Sequence, residues 1–418
     1  MWLWTSDILD LNLERSFLEL LLEQLDNSQN MKSNIILTGK ALQRQVHPSF
    51  SKSTSRTSAW TPTLVASTVA RREYAHVHDH NCSHDHTHDH SHNHDHKKQS
   101  PFTLGSNGRS SKKITNARKE LMPRPTKAIE YCENLVRKSD YEGFLCTQFF
   151  PKHQQTTQMA LRAFNIELAS IRESVSNTDI GRMRMQFWRD SLEKVFAGTP
   201  PQQPVSLALA YAIQEQQQQN SSDDTEMSLI WFKRMITERE QNLSDPQFMT
   251  IGQMETYCEN TFGSLLYLQL ESVGVKSLEA DHAASHLAKA MGISTMLRAF
   301  PFHMQQNRMV IPAETTAKYN LSQEALFRNP TITSALQDAT HEVATAAHVH
   351  LATAQSYIDN LPKSAFPVLM AGIPTESYLN RLQKADFNPL APGIQQREWY
   401  LPAKLWYRWR QGKLFDIK

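Results

Sequence analysis

Beyond residue 123 apolar residues recur every three or four positions, the period of helices with one buried face. A first helix is expected over 126–139, after a proline-rich entry at Pro123 and Pro125, and an apolar stretch over 143–150 then reaches Pro151. Met159, Leu161, Phe164, Leu168 and Ile171 mark a helix over 156–175. Met183, Phe187, Leu192 and Phe196 mark another over 180–196, stopped by Gly198 and Pro200. Residues 204–213 read as helix, and the polar run 214–224 reads as a surface loop. Further helices are expected over 226–243, 251–273, 279–300 and 332–361, with shorter ones over 366–370 and 375–385. The alanine density of 332–361 suits close helix packing. No region shows the sustained alternation of a strand, and no stretch has the length and apolarity of a membrane span. The pattern predicts an all-α fold, a single helical domain over 123–390.

The N-terminal part has a different character. A short amphipathic run at 8–25 precedes Met31. From there to Arg72 no acidic residue occurs, while Lys32, Lys40, Arg44, Lys52, Arg56 and Arg71 stand among Ser and Thr. This is the composition of a mitochondrial transit peptide, and Met31 is its expected start; a surface tail of the same composition is the other reading. A targeting region is expected over 1–75 and a linker over 76–122. Histidine stands at nearly every second position over 76–96, with aspartates between. Such a tract has incidental affinity for zinc, nickel or copper, but its spacing fixes no geometry. A low-complexity tract and a metal-handling segment both remain open. Lys+Arg is 44 against Asp+Glu 42, a formal charge of +2, which gives no case for a nucleic-acid partner. Cys82, Cys132, Cys146 and Cys258 have no paired spacing and read as ordinary thiols of a reducing compartment.

Chemistry concentrates in 291–312, MGISTMLRAFPFHMQQNRMVIP. Arg298, Arg308, Ile311 and Pro312 form a frame that resembles the second conserved motif of the squalene/phytoene synthase family. Further segments resemble that family in order. Lys138, Asp140 and Tyr141, followed by Phe149, Phe150 and Pro151, are similar to its opening segment. Ala163 and Phe164 lead the helix of its first aspartate motif. Arg184, Gln186, Phe187, Trp188, Arg189 and Asp190, with Glu193, resemble a divergent branch. Tyr257, Cys258 and Gly263 resemble its Tyr-Cys-x-x-x-x-Gly helix, and Tyr378, Leu379, Arg381, Leu382 and Phe387 its closing helix. The resemblance spans 128–388 and implies an isoprenoid-synthase-like helical domain around a central cavity.

It also implies where the carboxylates should be. In catalytic members two acidic motifs hold magnesium against a prenyl diphosphate, which lets the allylic C–O bond ionise. Here the first motif falls on Ala169, Ser170 and Glu173. In the second, Thr295 stands at the Asn position, and Ala299, Phe302 and His303 stand at acidic ones. Alanine and phenylalanine carry no ligand atom, and a lone Glu173 cannot hold a metal cluster, so no catalytic, metal or cofactor site is expected. Asp190 and Glu193, one turn apart, are the candidates for a substitute site; pairing of Asp190 with Arg184 or Arg189, or exposure to solvent, is the plainer reading. Arg298 and Arg308 suit either a phosphate or acidic lipid head group or structural ion pairs. Phe164 and Tyr257 are expected to line the cavity. Cys258 reads as a small buried hydrophobe and His286 as structural. The aromatic and basic tail over 391–418, with Trp399, Tyr400, Trp406, Tyr407, Trp409 and Arg410, suits a membrane interface, a partner groove or packing on the domain.

For a mitochondrially targeted member with degenerate motifs, the resemblance implies a non-catalytic factor for assembly of respiratory complex I (NADH:ubiquinone oxidoreductase). It would act at the matrix side of the inner membrane, peripherally associated with it. Its expected partners are complex I subunits or other assembly factors, with a lipid, an isoprenoid or an apolar partner segment in the cavity. The alternative is a prenyl-diphosphate-using transferase with a rearranged metal site.

Overall fold

The computed structural model describes residues 122–219, 227–244 and 246–415. The transit-like segment and the histidine tract lie outside them. The described residues form helices and turns, with no strand among them. Helix α1 (Thr126–Ser139) is followed by α2 (Tyr141–Thr147), whose first turn is capped by Asp140 accepting from the Gly143 amide at 3.0 Å. Next come α3 (Lys152–Ser174), α4 (Thr178–Phe196), α5 (Pro204–Gln219) and α6 (Leu229–Gln241). Asn177 caps α4 through the Ile180 amide at 2.9 Å. Where these helices meet, Phe164 packs edge-on against Trp188 at 5.2 Å and Phe232 at 5.3 Å between ring centroids. This aromatic group fastens α3, α4 and α6 together.

Helix α7 (Ile251–Cys258) runs through a π-helical turn, Glu259–Gly263, into α8 (Ser264–Ser272). The expected helix over 251–273 is therefore present but carries one wide turn. Its extra residue aims Glu259 at α8 and at the next helix: the carboxylate accepts from Tyr267 at 2.5 Å and from Ser285 at 2.6 Å. That next helix, α9 (Leu278–Arg298), is buried on most of its circumference by small residues, among them Ala280, Ala283, Ala284, Ala288 and Ala290. Gly292 faces Cys258 so closely that a Cβ there would lie 2.4 Å from Sγ.

Beyond residue 300, where the spacing predicts no helix before 332, three short ones occur: α10 (Phe300–Gln305), α11 (Ala313–Lys318) and α12 (Gln323–Arg328). Each is too short for a period to show. The alanine-rich α13 (Ser334–Tyr357) then packs along α9 in the most extensive helix pair of the domain. Helices α14 (Phe366–Leu369), α15 (Gly372–Lys384), α16 (Pro392–Gln395) and α17 (Leu401–Gln411) complete it. Helix α17 packs through buried Leu401 and Leu405, Trp409 meets Phe149 at 5.5 Å, and Lys404 and Arg408 reach the buried Glu376. One face of the C-terminal segment thus belongs to the domain, while Trp399, Tyr400 and Tyr407 stay exposed.

One expectation fails for a physical reason. The glutamine-rich run expected to be a loop continues α5 as far as Gln219. Glutamine is unbranched and loses little freedom in a helix, so polarity alone does not end one. Gln216 is buried and donates to the Glu271 carbonyl at 3.0 Å.

Candidate functional site

Among the described residues the helices line two adjoining, partly open cavities that hold the motif positions. One, of about 430 Å³, lies between α2, α3, α9 and α15 and reaches Ile166, Leu265, Met291 and Tyr378. The other, of about 290 Å³, is lined by Leu168, Met185, Phe248, Tyr257, Met296 and Met309. Ala169, Arg239, Phe262 and Thr295 belong to both walls, so the two chambers meet along that seam.

The degenerate motif positions converge here from α3, α9 and α10. Ala169 from α3 and Thr295 from α9 stand on the seam; Ala299 and His303 line the smaller chamber, and Ser170 the larger. Thr295 spends its hydroxyl on the Met291 carbonyl at 2.8 Å. Phe302 lines neither chamber: it is 47% exposed and packs edge-on against His303. Phe164 departs from expectation in the opposite sense. It is fully buried in the aromatic group of α3, α4 and α6 and lines neither chamber described. On α3 the chamber-lining positions are 162, 165, 166, 168, 169, 170 and 172, while the Phe164 ring is taken up by Trp188 and Phe232. Tyr257 does line the smaller chamber, and its ring packs on Phe248 at 5.6 Å.

Both arginines of the second motif are in ion pairs. Arg308 Nη1 donates to Glu173 Oε1 at 2.6 Å, tying the end of α3 to the turn after α10. Burial works to raise the Glu173 pKa; the hydrogen bond and charge of Arg308 outweigh it and hold the carboxyl below its ordinary value. Arg298 Nη1 donates to Glu142 Oε1 at 2.7 Å. A third pair lies on the larger chamber, where Arg162 Nη1 donates to Asp140 Oδ2 at 2.8 Å. Gly143 makes room for it: a Cβ would fall 2.1 Å from Arg162 Nη1 and 2.2 Å from Asp140 Oδ2.

The substitute carboxylates lie elsewhere. Asp190 is exposed and accepts from Gln186 at 2.8 Å, and Glu193 pairs with Lys233 at 3.2 Å. Arg189 pairs instead with Glu240, and Arg184 donates to Ser174 at 2.7 Å. Neither Asp190 nor Glu193 lines either chamber. Among the described residues no group of three or more His, Cys, Asp or Glu side chains is placed to hold a metal. The cavity's donor set, dominated by guanidinium groups already facing carboxylates, does not fit a magnesium–diphosphate cluster.

Cys258 is fully buried, and burial is the main cause that pushes its thiol pKa far up, which suits a packing role. His286 Nδ1 lies 2.9 Å from His350 Nδ1, while His350 Nε2 reaches Glu255 Oε1 at 3.0 Å. Burial first, then His350, lowers the His286 pKa to about 4, so a neutral ring joins α9 to α13.

Arg239 was missed from the sequence. It lies in the last turn of α6, only 8% exposed, on the seam between the chambers. Its neighbours Glu238 and Glu240 make the segment read as a solvated charged face, which hides it.

The squalene/phytoene synthase family model matches residues 136–406. The protein named NADH dehydrogenase (ubiquinone) complex I, assembly factor 6 from Rattus norvegicus is 42% identical over 282 residues, 67% of this chain and 82% of its own. The Homo sapiens protein of that name is 39% identical over the same shares, and the Drosophila melanogaster homolog 34% over 70% of this chain and 89% of its own. Among solved structures, a dehydrosqualene synthase in complex with ligand aligns with TM-score 0.56 at 17% identity, covering 68% of this chain and 98% of that one. The squalene synthase HpnC from Alicyclobacillus acidocaldarius aligns with TM-score 0.54 at 16% identity, covering 63% and 96%. These two likenesses establish the shared helical fold. The chain belongs to the squalene/phytoene synthase family and is similar within it to the proteins named complex I assembly factor 6.

Proposed function

We propose that this protein acts in the assembly of mitochondrial complex I, at the matrix side of the inner membrane, and does not transfer prenyl groups. The assembly role is supported by identity to the assembly factors across four-fifths or more of their length. One observation carries the non-catalytic half: where catalytic relatives need carboxylates, the cavity presents Ala169, Ser170 and Ala299, and Glu173 is engaged by Arg308. The cavity then serves to hold a lipid, an isoprenoid or an apolar segment of a partner. Peripheral membrane contact is supported by exposed Trp399, Tyr400 and Tyr407 beside Arg397 and Arg410, since no helix among the described residues is long and apolar enough to cross a membrane.

A knockout scored for assembled complex I, then rescued with the wild-type chain, tests the assembly role; normal complex I in the knockout overturns it. The purified chain, given farnesyl or geranylgeranyl diphosphate with magnesium, is expected to release no diphosphate. Turnover lost on Glu173→Ala or Asp190→Ala would instead support a transferase.

A further inference from the structure

Among the arginines on the chamber walls Arg239 stands apart; Arg172 acts electrostatically on Glu173. Arg162, Arg298 and Arg308 each face a carboxylate, whereas Arg239 has none within ion-pair distance among the described residues. Its chain neighbours are turned away: Glu240 pairs with Arg189, and Glu238 accepts from Asn242 and Asn260. Arg239 Nη2 donates to Asn165 Oδ1 at 2.6 Å, and Tyr257 is its other polar neighbour. Nη1 is buried and makes no hydrogen bond of ordinary geometry, and no carboxylate faces it. A guanidinium does not shed its proton at neutral pH, and a buried charge without a counter-charge is costly. Such a group calls for an anion in the space it faces.

Three more buried polar atoms on the walls of the larger chamber lack hydrogen-bond partners among the described residues, Arg162 Nε, Ser294 Oγ and Tyr378 Oη. The smaller chamber, across the seam, is mostly apolar and rich in methionine, through Met185, Met296 and Met309. Unbranched, polarizable methionines accommodate chains of varied shape. Chambers of about 430 and 290 Å³ match the scale of small-molecule sites, which are mainly apolar with a few convergent polar groups.

We propose that Arg239 anchors the anionic head of a single-chain amphiphile, without metal, with the head toward the larger chamber and the chain in the methionine-lined one. The shared chemistry is a carboxylate or phosphate monoester on an apolar chain. This rests on reading the cavity as a holding space and not a catalytic one. It differs from the metal-dependent diphosphate clamp because its anchor stands on α6, outside both motif segments.

The test uses the purified full chain with EDTA present. Palmitate and farnesyl monophosphate are each titrated against the matched alcohols, hexadecanol and farnesol, by calorimetry and native mass spectrometry. One charge-assisted contact predicts binding of an acid about 10- to 100-fold tighter than its alcohol. Preference in the palmitate arm alone names a fatty acid, and in the farnesyl arm alone a prenyl phosphate. Arg239→Met is expected to remove the preference while leaving alcohol binding within about twofold, and Arg239→Lys to keep part of it. Equal affinity of acids and alcohols for the wild-type chain overturns the proposal, and so does a preference that survives in Arg239→Met. The wild-type comparison stands even where a variant does not fold. Failure of the holding reading shows separately, as turnover of farnesyl diphosphate when magnesium replaces EDTA.

Discussion

The Glu173–Arg308 pair is the most direct handle on how this cavity is held. Two unit charges about 4 Å apart attract by about 4 kcal/mol at an effective dielectric of about 20. Desolvation and solvent screening reduce that. The Arg308 side chain is 16% exposed and Glu173 37%, so the net coupling lies above the ~0.2–1 kcal/mol of a fully exposed pair. We expect about 1–2 kcal/mol from a double-mutant cycle of Glu173→Gln and Arg308→Gln, measured by urea unfolding. The sign with pH follows from the depressed Glu173 pKa. The carboxylate's contribution is fully present above its unfolded value near 4.5 and is lost as pH falls through the lower folded value, while Arg308 stays charged. The stability gap between wild type and Glu173→Gln should therefore hold from neutral pH down to about 5.5 and then close. A coupling below about 0.3 kcal/mol, or a gap that ignores acid, would refute the view that this contact ties the two motif segments together.

Other outcomes follow from the packing. Gly143→Ala drives a Cβ into Asp140 and Arg162, and stranding a guanidinium whose side chain is 4% exposed should cost about 3 kcal/mol or more, seen as a lowered melting temperature; a Tm within 1 °C of wild type counts against the packing described. Gly292→Ala meets Cys258 and should cost about 1–3 kcal/mol, partly restored by Cys258→Ala. Burial pushes the Cys132 and Cys146 thiols up to about 12, so in a Cys82→Ser background Ellman's reagent at about pH 8 should label neither until the chain is unfolded.

Long helices were legible because their apolar residues repeat over several turns: α1, α4, α9 and α13 lie within a few residues of expectation. Helices α10 to α12 were not, because six residues hold fewer than two turns. Glutamines of α5 misled because polarity was read as a loop. At the site, spacing drew attention to Ala169, Thr295 and Ala299, but pairing is a tertiary fact: nothing in the order of residues says that Arg308 meets Glu173 across 135 positions. Arg239 was hidden by its own neighbours, since two flanking glutamates look like a solvated face when both in fact have partners elsewhere.

The ion pairs on the cavity wall also bear on descent. Placing aspartate back at Ala169 or Ala299 would not by itself rebuild a magnesium site. Each new carboxylate would share a chamber with Arg172, Arg239 and Arg308. A guanidinium fixed in place competes with an ion that must shed water to bind. Reversal would need the arginine partners rearranged along with the acids, and the intermediates would lose Glu173–Arg308 before gaining a metal. On the non-catalytic reading proposed above, the contacts that hold the cavity together are also what would stand against a gain of prenyl chemistry.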